Sequence, residues 1–237
     1  MTKNIGDIEM RILNLFGGIG ANRSPWGEKH VIVTVEHNQQ IAYLYYLRFP
    51  KDIIIIADAY DYVLKHFMEF DFIWASPPCN THTFLNVLIV SKMDRGFKAK
   101  LPDLQLYSLV IFLKRFFKGL WIVENVKPYY EPLIKPSFQL GRHIFWSNFH
   151  VEKKEFREKE YTNDMVYTAR VKQVDLDLIN KFNCKSFRKD QLLRNAVNPK
   201  ISAHIFKYVE KKSRMKQTKL SKFDMKNTLK KKVNVNG

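Results

Sequence analysis

Short apolar runs alternate with helix-like segments through the first two thirds of this chain, and that alternation constrains the fold more than any other feature. Residues 11–16 are apolar and end in glycines. Residues 31–35 are β-branched and end at Glu36. Residues 53–56 are four isoleucines, a run that predicts a buried strand, followed by Ala57 and Asp58. Residues 71–75 run into Ser76-Pro77-Pro78-Cys79, and residues 121–123 lead to Glu124-Asn125. Between these strands, residues 41–49, 60–69 and 104–117 carry apolar side chains at helical spacing, the first run stopped by Pro50. Near-continuous apolar strands separated by helices predict an α/β fold, a mostly parallel sheet covered on both faces. Ligands of such sheets bind outside the carboxyl ends of the strands. Glu36, Asp58, Cys79 and Glu124 each follow a predicted strand directly, so the chemistry is expected on that edge.

Charge narrows the partners. The formal net charge is +17 over 237 residues, which points to a polyanion, nucleic acid before an anionic membrane. The surplus is concentrated in residues 211–237, which have few apolar side chains and no steady helical period, and which read as a solvated, disordered basic tail. Two cysteines, Cys79 and Cys184, are too few for a disulfide scaffold, and no zinc-ligand spacing accompanies them. The polar N-terminus and the lack of a long apolar run predict a soluble, cytoplasmic protein without a membrane partner. The expected organisation is a catalytic and cofactor-binding domain over residues 1–149 and a small charged lobe over 150–187. A segment over 188–210 then returns to the domain, ahead of the tail.

The glycines of Phe16-Gly17-Gly18-Ile19-Gly20 stand at a strand-to-helix turn, where backbone can approach a ligand closely or simply pack tightly. Glu36, at the end of the next strand, is placed to hold a ribose hydroxyl pair. Asp58 is placed either to accept from an adenine amino group or to cap the helix that follows. Two prolines before Cys79 make a rigid loop. A thiolate there can add to carbon 6 of a pyrimidine and make carbon 5 nucleophilic. The bland alternative is a small buried hydrophobe. Glu124 can face a base and share a proton with ring nitrogen 3, which makes carbon 6 electrophilic.

Taken together, these motifs resemble the DNA cytosine-5 methyltransferase family, over roughly residues 11–149 and 188–206. Phe16-Gly17-Gly18-Ile19-Gly20 resembles its cofactor loop, and Glu36 and Asp58 match its ribose and adenine acids. Pro78-Cys79 matches its nucleophile loop and Glu124-Asn125-Val126 its Glu-Asn-Val motif. Gly141-Arg142-His143-Ile144-Phe145 resembles its basic strand, and Arg194-Asn195-Ala196-Val197-Asn198-Pro199 its C-terminal motif. The resemblance implies a Rossmann-like fold and S-adenosyl-L-methionine as cofactor, held by Phe16, Gly17, Gly18, Gly20, Glu36, Asp58, Pro77 and Asn195. It implies catalysis by Cys79, Glu124 and Arg142 on a cytosine flipped out of double-stranded DNA, with residues 150–187 as a target-recognition lobe. It implies no metal and no obligate protein partner.

The chain departs from the pattern at four places. Asn14 stands where the family has Asp, which is expected to weaken cofactor binding slightly. Arg142 lies beside His143 where the family has two arginines two apart, which leaves open which of them reaches the base or the acid. Arg194 and Asn198 replace a Gly and a Pro. Only about 40 residues separate the last two motifs, which fits a compact phage-type or solitary member. Residues 81–100, with Lys92, Arg95, Lys98 and Lys100, fall where the family has a loop that closes over substrate. RNA methylation and a non-catalytic nucleic-acid binding protein on the same fold stand as alternatives. Methylation of an exocyclic amino group is disfavoured, because Cys79 stands where an aromatic residue would stack on the base.

Overall fold

The computed structural model describes residues 9–84, 100–156, 164–181 and 188–233. A seven-stranded sheet forms its centre. The strands are β1 (Arg11–Leu15), β2 (Val31–Val35), β3 (Ile53–Ile55), β4 (Phe72–Ala75), β5 (Leu120–Val126), β6 (Phe138–Leu140) and β7 (His143–Ser147). Their order is β3-β2-β1-β4-β5-β7-β6. The first five are mutually parallel and β7 runs antiparallel to both β5 and β6. The mostly parallel α/β sheet expected from the apolar runs is therefore present. The order reverses direction between β1 and β4, and a switch of that kind opens a crevice at the carboxyl edge.

Both faces are covered. Helices α1 (Gln39–Arg48), α2 (Ala59–His66) and α3 (Gln105–Phe116) are the crossovers between parallel strands. On one face Leu13, Leu15, Ile73 and Val123 pack against Val63 of α2 and Leu106, Leu109, Val110 and Leu113 of α3. On the other, Ile12, Phe72, Trp74, Ile122 and Phe145 pack against Trp26 and the C-terminal helix. Burying each such side chain contributes about 1.5–3 kcal/mol, so these two layers anchor the sheet edge that carries the polar residues.

Three expectations are corrected. The isoleucine run is an edge strand, not a buried one: Ile53 and Ile56 are exposed, because β3 has a neighbour on one side alone. Helices α4 (Met165–Val171), α5 (Leu176–Lys181) and α6 (Lys189–Asn195) do not form a separate lobe in their described residues. Ala169, Val174 and Ile179 share an apolar cluster with Ile19, Ala21, Leu44, Leu192 and Leu193, so this stretch closes over the glycine turn. The basic tail is not irregular through residue 233, because α7 spans Pro199–Val233. Its first turns are fastened by Ile201, Ile205, Phe206 and Val209. Once a packed segment has supplied the nucleus, lysines and other straight side chains prolong a helix at little cost. Its side chains from Arg214 to Thr218 are exposed, as a solvated charged segment requires. No helix among the described residues is long and apolar enough to cross a membrane.

Candidate active site

The glycine turn follows β1 directly. Phe16 adopts a left-handed backbone, φ 58°, that turns the chain off the sheet. The Gly17 N–H then donates to the Val35 carbonyl at 3.0 Å. A Cβ on Gly17 would meet Thr34 Cγ2 at 2.2 Å, and one on Gly20 would strike the rings of Phe49 and Tyr45 at 2.6 and 2.7 Å. These two glycines are needed for close packing on β2 and α1. Gly18 differs: its φ is +54° and nothing lies within 4 Å of where its Cβ would be. Its N–H donates to Glu36 Oε2 at 3.0 Å, while Glu36 Oε1 accepts from the Asn38 N–H at 3.0 Å. Each carboxylate oxygen accepts two hydrogen bonds, so Glu36 is pinned by backbone and still has lone pairs for ribose hydroxyls.

Asp58 accepts from the Asp61 N–H at 2.9 Å and so caps α2, which was its alternative reading. The two roles are compatible for a carboxylate with a second oxygen. Next to it, the hydroxyl of Tyr60 is buried without a hydrogen-bond partner among the described residues. Burial, with the charges of Asp103 and Asp58, pushes its pKa well above the usual phenol value. The Phe16 ring meets Tyr60 edge-on, centroids 5.0 Å apart. An open glycine backbone, an aromatic pair, a ribose-type acid and an amino-accepting acid form a donor set that fits an adenosyl group.

A buried polar chain lies under this turn. Asn22 Nδ2 donates to Asn14 Oδ1 at 2.8 Å and Asn14 Nδ2 to Thr34 Oγ1 at 3.4 Å. The Thr34 hydroxyl donates to Tyr45 Oη at 2.7 Å and the Tyr45 hydroxyl to Asp52 Oδ2 at 2.7 Å. Arg23 closes it with a two-pronged pair to Asp52 at 2.8 and 2.9 Å. Every proton points along the chain toward Asp52. Asn14 must donate as well as accept, which an ionised aspartate cannot do. The departure at position 14 is thus matched by its neighbours.

The nucleophile turn starts where β4 ends. Pro77 is buried and its carbonyl accepts from Asn125 Nδ2 at 3.0 Å, which ties the turn to β5. Cys79 is half-buried, and its carbonyl accepts from the N–H groups of His82 and Thr83 at 3.0 and 3.1 Å. Burial raises the thiol pKa above its ordinary 9.0. The charge of Glu124 raises it further and that of Arg142 opposes.

Glu124 lies within β5, opposite Phe145, rather than just beyond the strand. Strand register places His143 beside Glu124. Val126 pairs with His143, and Glu124 shares a sheet face with Val126, so His143 is its diagonal neighbour. His143 Nε2 lies 3.4 Å from Glu124 Oε1, and both side chains are buried. Arg142 precedes the strand, is exposed, and donates from Nη2 to the Arg194 carbonyl at 2.6 Å. It fastens the C-terminal motif and contributes charge near Cys79.

That motif holds a further departure from expectation. Asn195 ends α6 and is exposed, whereas Asn198 is fully buried and caps α7 by accepting from the Lys200 N–H at 2.9 Å. The sequence reading also missed His82. Its Nδ1 lies 2.6 Å from the Tyr130 hydroxyl, its carbonyl accepts from the Tyr129 N–H at 3.1 Å, and its buried Nε2 has no partner among the described residues. Burial lowers its pKa below the ordinary 6.5, with Asp103 opposing. Its place three residues after Cys79 was the one available signal. The basic residues Lys92, Arg95 and Lys98 lie outside the described residues, and Lys100 is exposed.

Residues 10–87, which include the glycine turn, Glu36, Asp58 and the Pro-Pro-Cys turn, match the family described as C-5 cytosine-specific DNA methylase. No curated protein is detectably similar in sequence. Among solved structures, a methyltransferase of Entamoeba histolytica, EhMeth, aligns with 11% identity and a TM-score of 0.49, over 86% of this chain and 98% of that one. A DNMT2 variant from Spodoptera frugiperda aligns with 15% identity and a TM-score of 0.48, over 84% of this chain and 99% of that one. Residues 10–87 are thus similar to the C-5 cytosine-specific DNA methylases, and they lie on a mostly parallel α/β sheet.

Proposed function

We propose that this protein methylates carbon 5 of cytosine in double-stranded DNA through a transient adduct at Cys79. The observation that carries the reading is the junction of β4 and β5. There the Pro77-Pro78 turn is bonded to Asn125, and Cys79 is close enough to Glu124 for the carboxylate to perturb its thiol. A flipped cytosine entering this junction meets Cys79 at carbon 6 and Glu124 at nitrogen 3. Proton sharing with Glu124 makes carbon 6 electrophilic as the sulfur adds. His143, beside Glu124, orients that carboxyl. Bond formation at carbon 6 moves electron density onto carbon 5, which becomes the nucleophile. The bound cofactor supplies an electrophilic methyl group. Loss of the carbon-5 proton to a base and departure of the Cys79 sulfur then restore the aromatic ring. Phe16, Gly18, Glu36 and Asp58 would hold the adenosyl portion.

The +17 net charge supports a nucleic-acid substrate. The test is to express the protein, digest host DNA and RNA separately, and measure 5-methylcytosine in each, with bisulfite sequencing for context. New 5-methylcytosine in DNA is the expected result. Its appearance in RNA alone would replace DNA by RNA as the substrate, and amino-methylated bases would overturn the mechanism.

A further inference from the structure

We infer that a basic, aromatic-lined cavity beside the first turns of α7 is a second nucleic-acid contact, which holds the backbone of the substrate strand away from the catalytic junction. This rests on the reading of the protein as a DNA methyltransferase. The cavity measures about 550 Å³ and is lined by Lys154, Phe156, Tyr167, Lys200, His204 and Lys207. Lys200, His204 and Lys207 recur at helical spacing along one face of α7 and span about 10 Å of its axis. That length accommodates more than one phosphate of a strand. Lys154 approaches from the chain that follows β7, with its ammonium 5.7 Å from the Phe156 ring centroid. The Arg170 guanidinium lies 5.3 Å from the ring centroid of Tyr167, which lines the cavity. Glu155 is the acid in the lining, so cations outnumber it. His204 is fixed by its Nε2 at 2.8 Å from the Glu152 carbonyl.

Cations beside half-buried aromatic rings suit a phosphodiester with a base or sugar laid against it. An apolar ligand would leave the lysines without purpose, and a lone anion would not need the rings. The cavity is coupled to the catalytic edge through one short segment. Arg142, whose charge acts on Cys79, holds the Arg194 carbonyl, and α7 begins five residues later with Lys200 in its first turn.

The test uses full-length protein and a mixed-sequence 30-base-pair duplex. Binding is measured by fluorescence anisotropy at several salt concentrations, alongside methyl transfer and cofactor affinity. The variants are K200Q/K207Q and K200R/K207R. Removing two phosphate contacts lowers the slope of log affinity against log salt by about 2. The loss of affinity between 50 and 200 mM salt should therefore shrink by about tenfold in K200Q/K207Q. The arginine pair should keep the wild-type slope, and both should keep cofactor affinity. Should the double variant fail to fold, K207Q at the exposed position should lower the slope by about 1. A wild type that methylates duplex DNA while the glutamine variants share its slope overturns this inference alone. A wild type that neither binds nor methylates duplex DNA overturns both. Equal competition by a free mononucleotide would assign the cavity to a small nucleotide instead and overturn the strand contact.

Discussion

Two buried polar clusters lie at the same edge of the sheet and are finished differently. Under the glycine turn, Asn22, Asn14, Thr34, Tyr45, Asp52 and Arg23 form one chain in which each donor has an acceptor. Around the Pro-Pro-Cys turn, Cys79 is half-buried, His82 Nε2 is buried without a partner among the described residues, and Glu124 lies 3.4 Å from His143. A saturated network rigidifies, because each broken bond strands another polar group. An unsaturated one carries a standing cost and persists where something else completes it. The first cluster holds the shape of the edge, and the second is the one the proposed reaction would use.

The largest effect should come from the reactive cluster. Cys79→Ser removes the sulfur nucleophile, and methyl transfer should fall by roughly a thousandfold or more. Cofactor affinity measured by calorimetry should stay at the wild-type value. In the wild type, trapping of a fluorinated cytosine should accelerate as pH rises toward and beyond the ordinary thiol value of 9.0, because the Cys79 pKa is raised. A rate already flat at neutral pH would mean a resting thiolate.

The saturated cluster should answer in stability. Asp52→Ala leaves the Arg23 guanidinium, whose side chain is 5% exposed, without its partner. Breaking one side of a buried pair costs about 3–5 kcal/mol, which thermal melting would register as a fall of about 10 °C. An unchanged melting temperature would break the comparison.

Asn14→Asp sharpens it. The carboxylate would face Thr34 Oγ1, whose proton is committed to Tyr45. The expected cost is about 1–3 kcal/mol. Burial would raise the folded-state pKa of this Asp above its unfolded value, so the penalty should be absent in acid and grow as pH rises above about 4. Tighter cofactor binding without loss of stability would show that the departure is a defect rather than a fitted part.

The smallest effect concerns His82. Its folded pKa is depressed, so the unfolded chain binds its proton more readily. The stability it allows is complete above its unfolded value near 6.5 and declines as pH falls through the lower folded value. His82→Gln should flatten that acid-side decline in melting experiments, and an equally steep decline would locate the titration elsewhere.

Local pattern carried much of the fold and part of the site. The strands, the crossover helices, the glycine turn, Glu36 and the Pro-Pro-Cys turn were legible because each depends on residues adjacent in the chain. Four features were not. The exposure of Ile53 depends on which strand lies at the edge. The position of His143 beside Glu124 depends on antiparallel register with β5. The placement of residues 164–181 over the glycine turn depends on an apolar cluster drawn from distant segments. The length of α7 depends on a packed nucleus that the polar tail does not itself contain.

By itself the amino-acid order determined a mostly parallel α/β sheet, a glycine turn after its first strand and a cysteine at a strand's carboxyl end, since apolar period and turn chemistry act over a few residues. Tertiary structure alone decided that His143 lies beside Glu124, that His82 joins the Pro-Pro-Cys turn to the segment after β5, and that Asn14 completes a one-way chain of donors. Those contacts join residues as many as 48 positions apart, and their partners are set by register and packing rather than by neighbours in sequence.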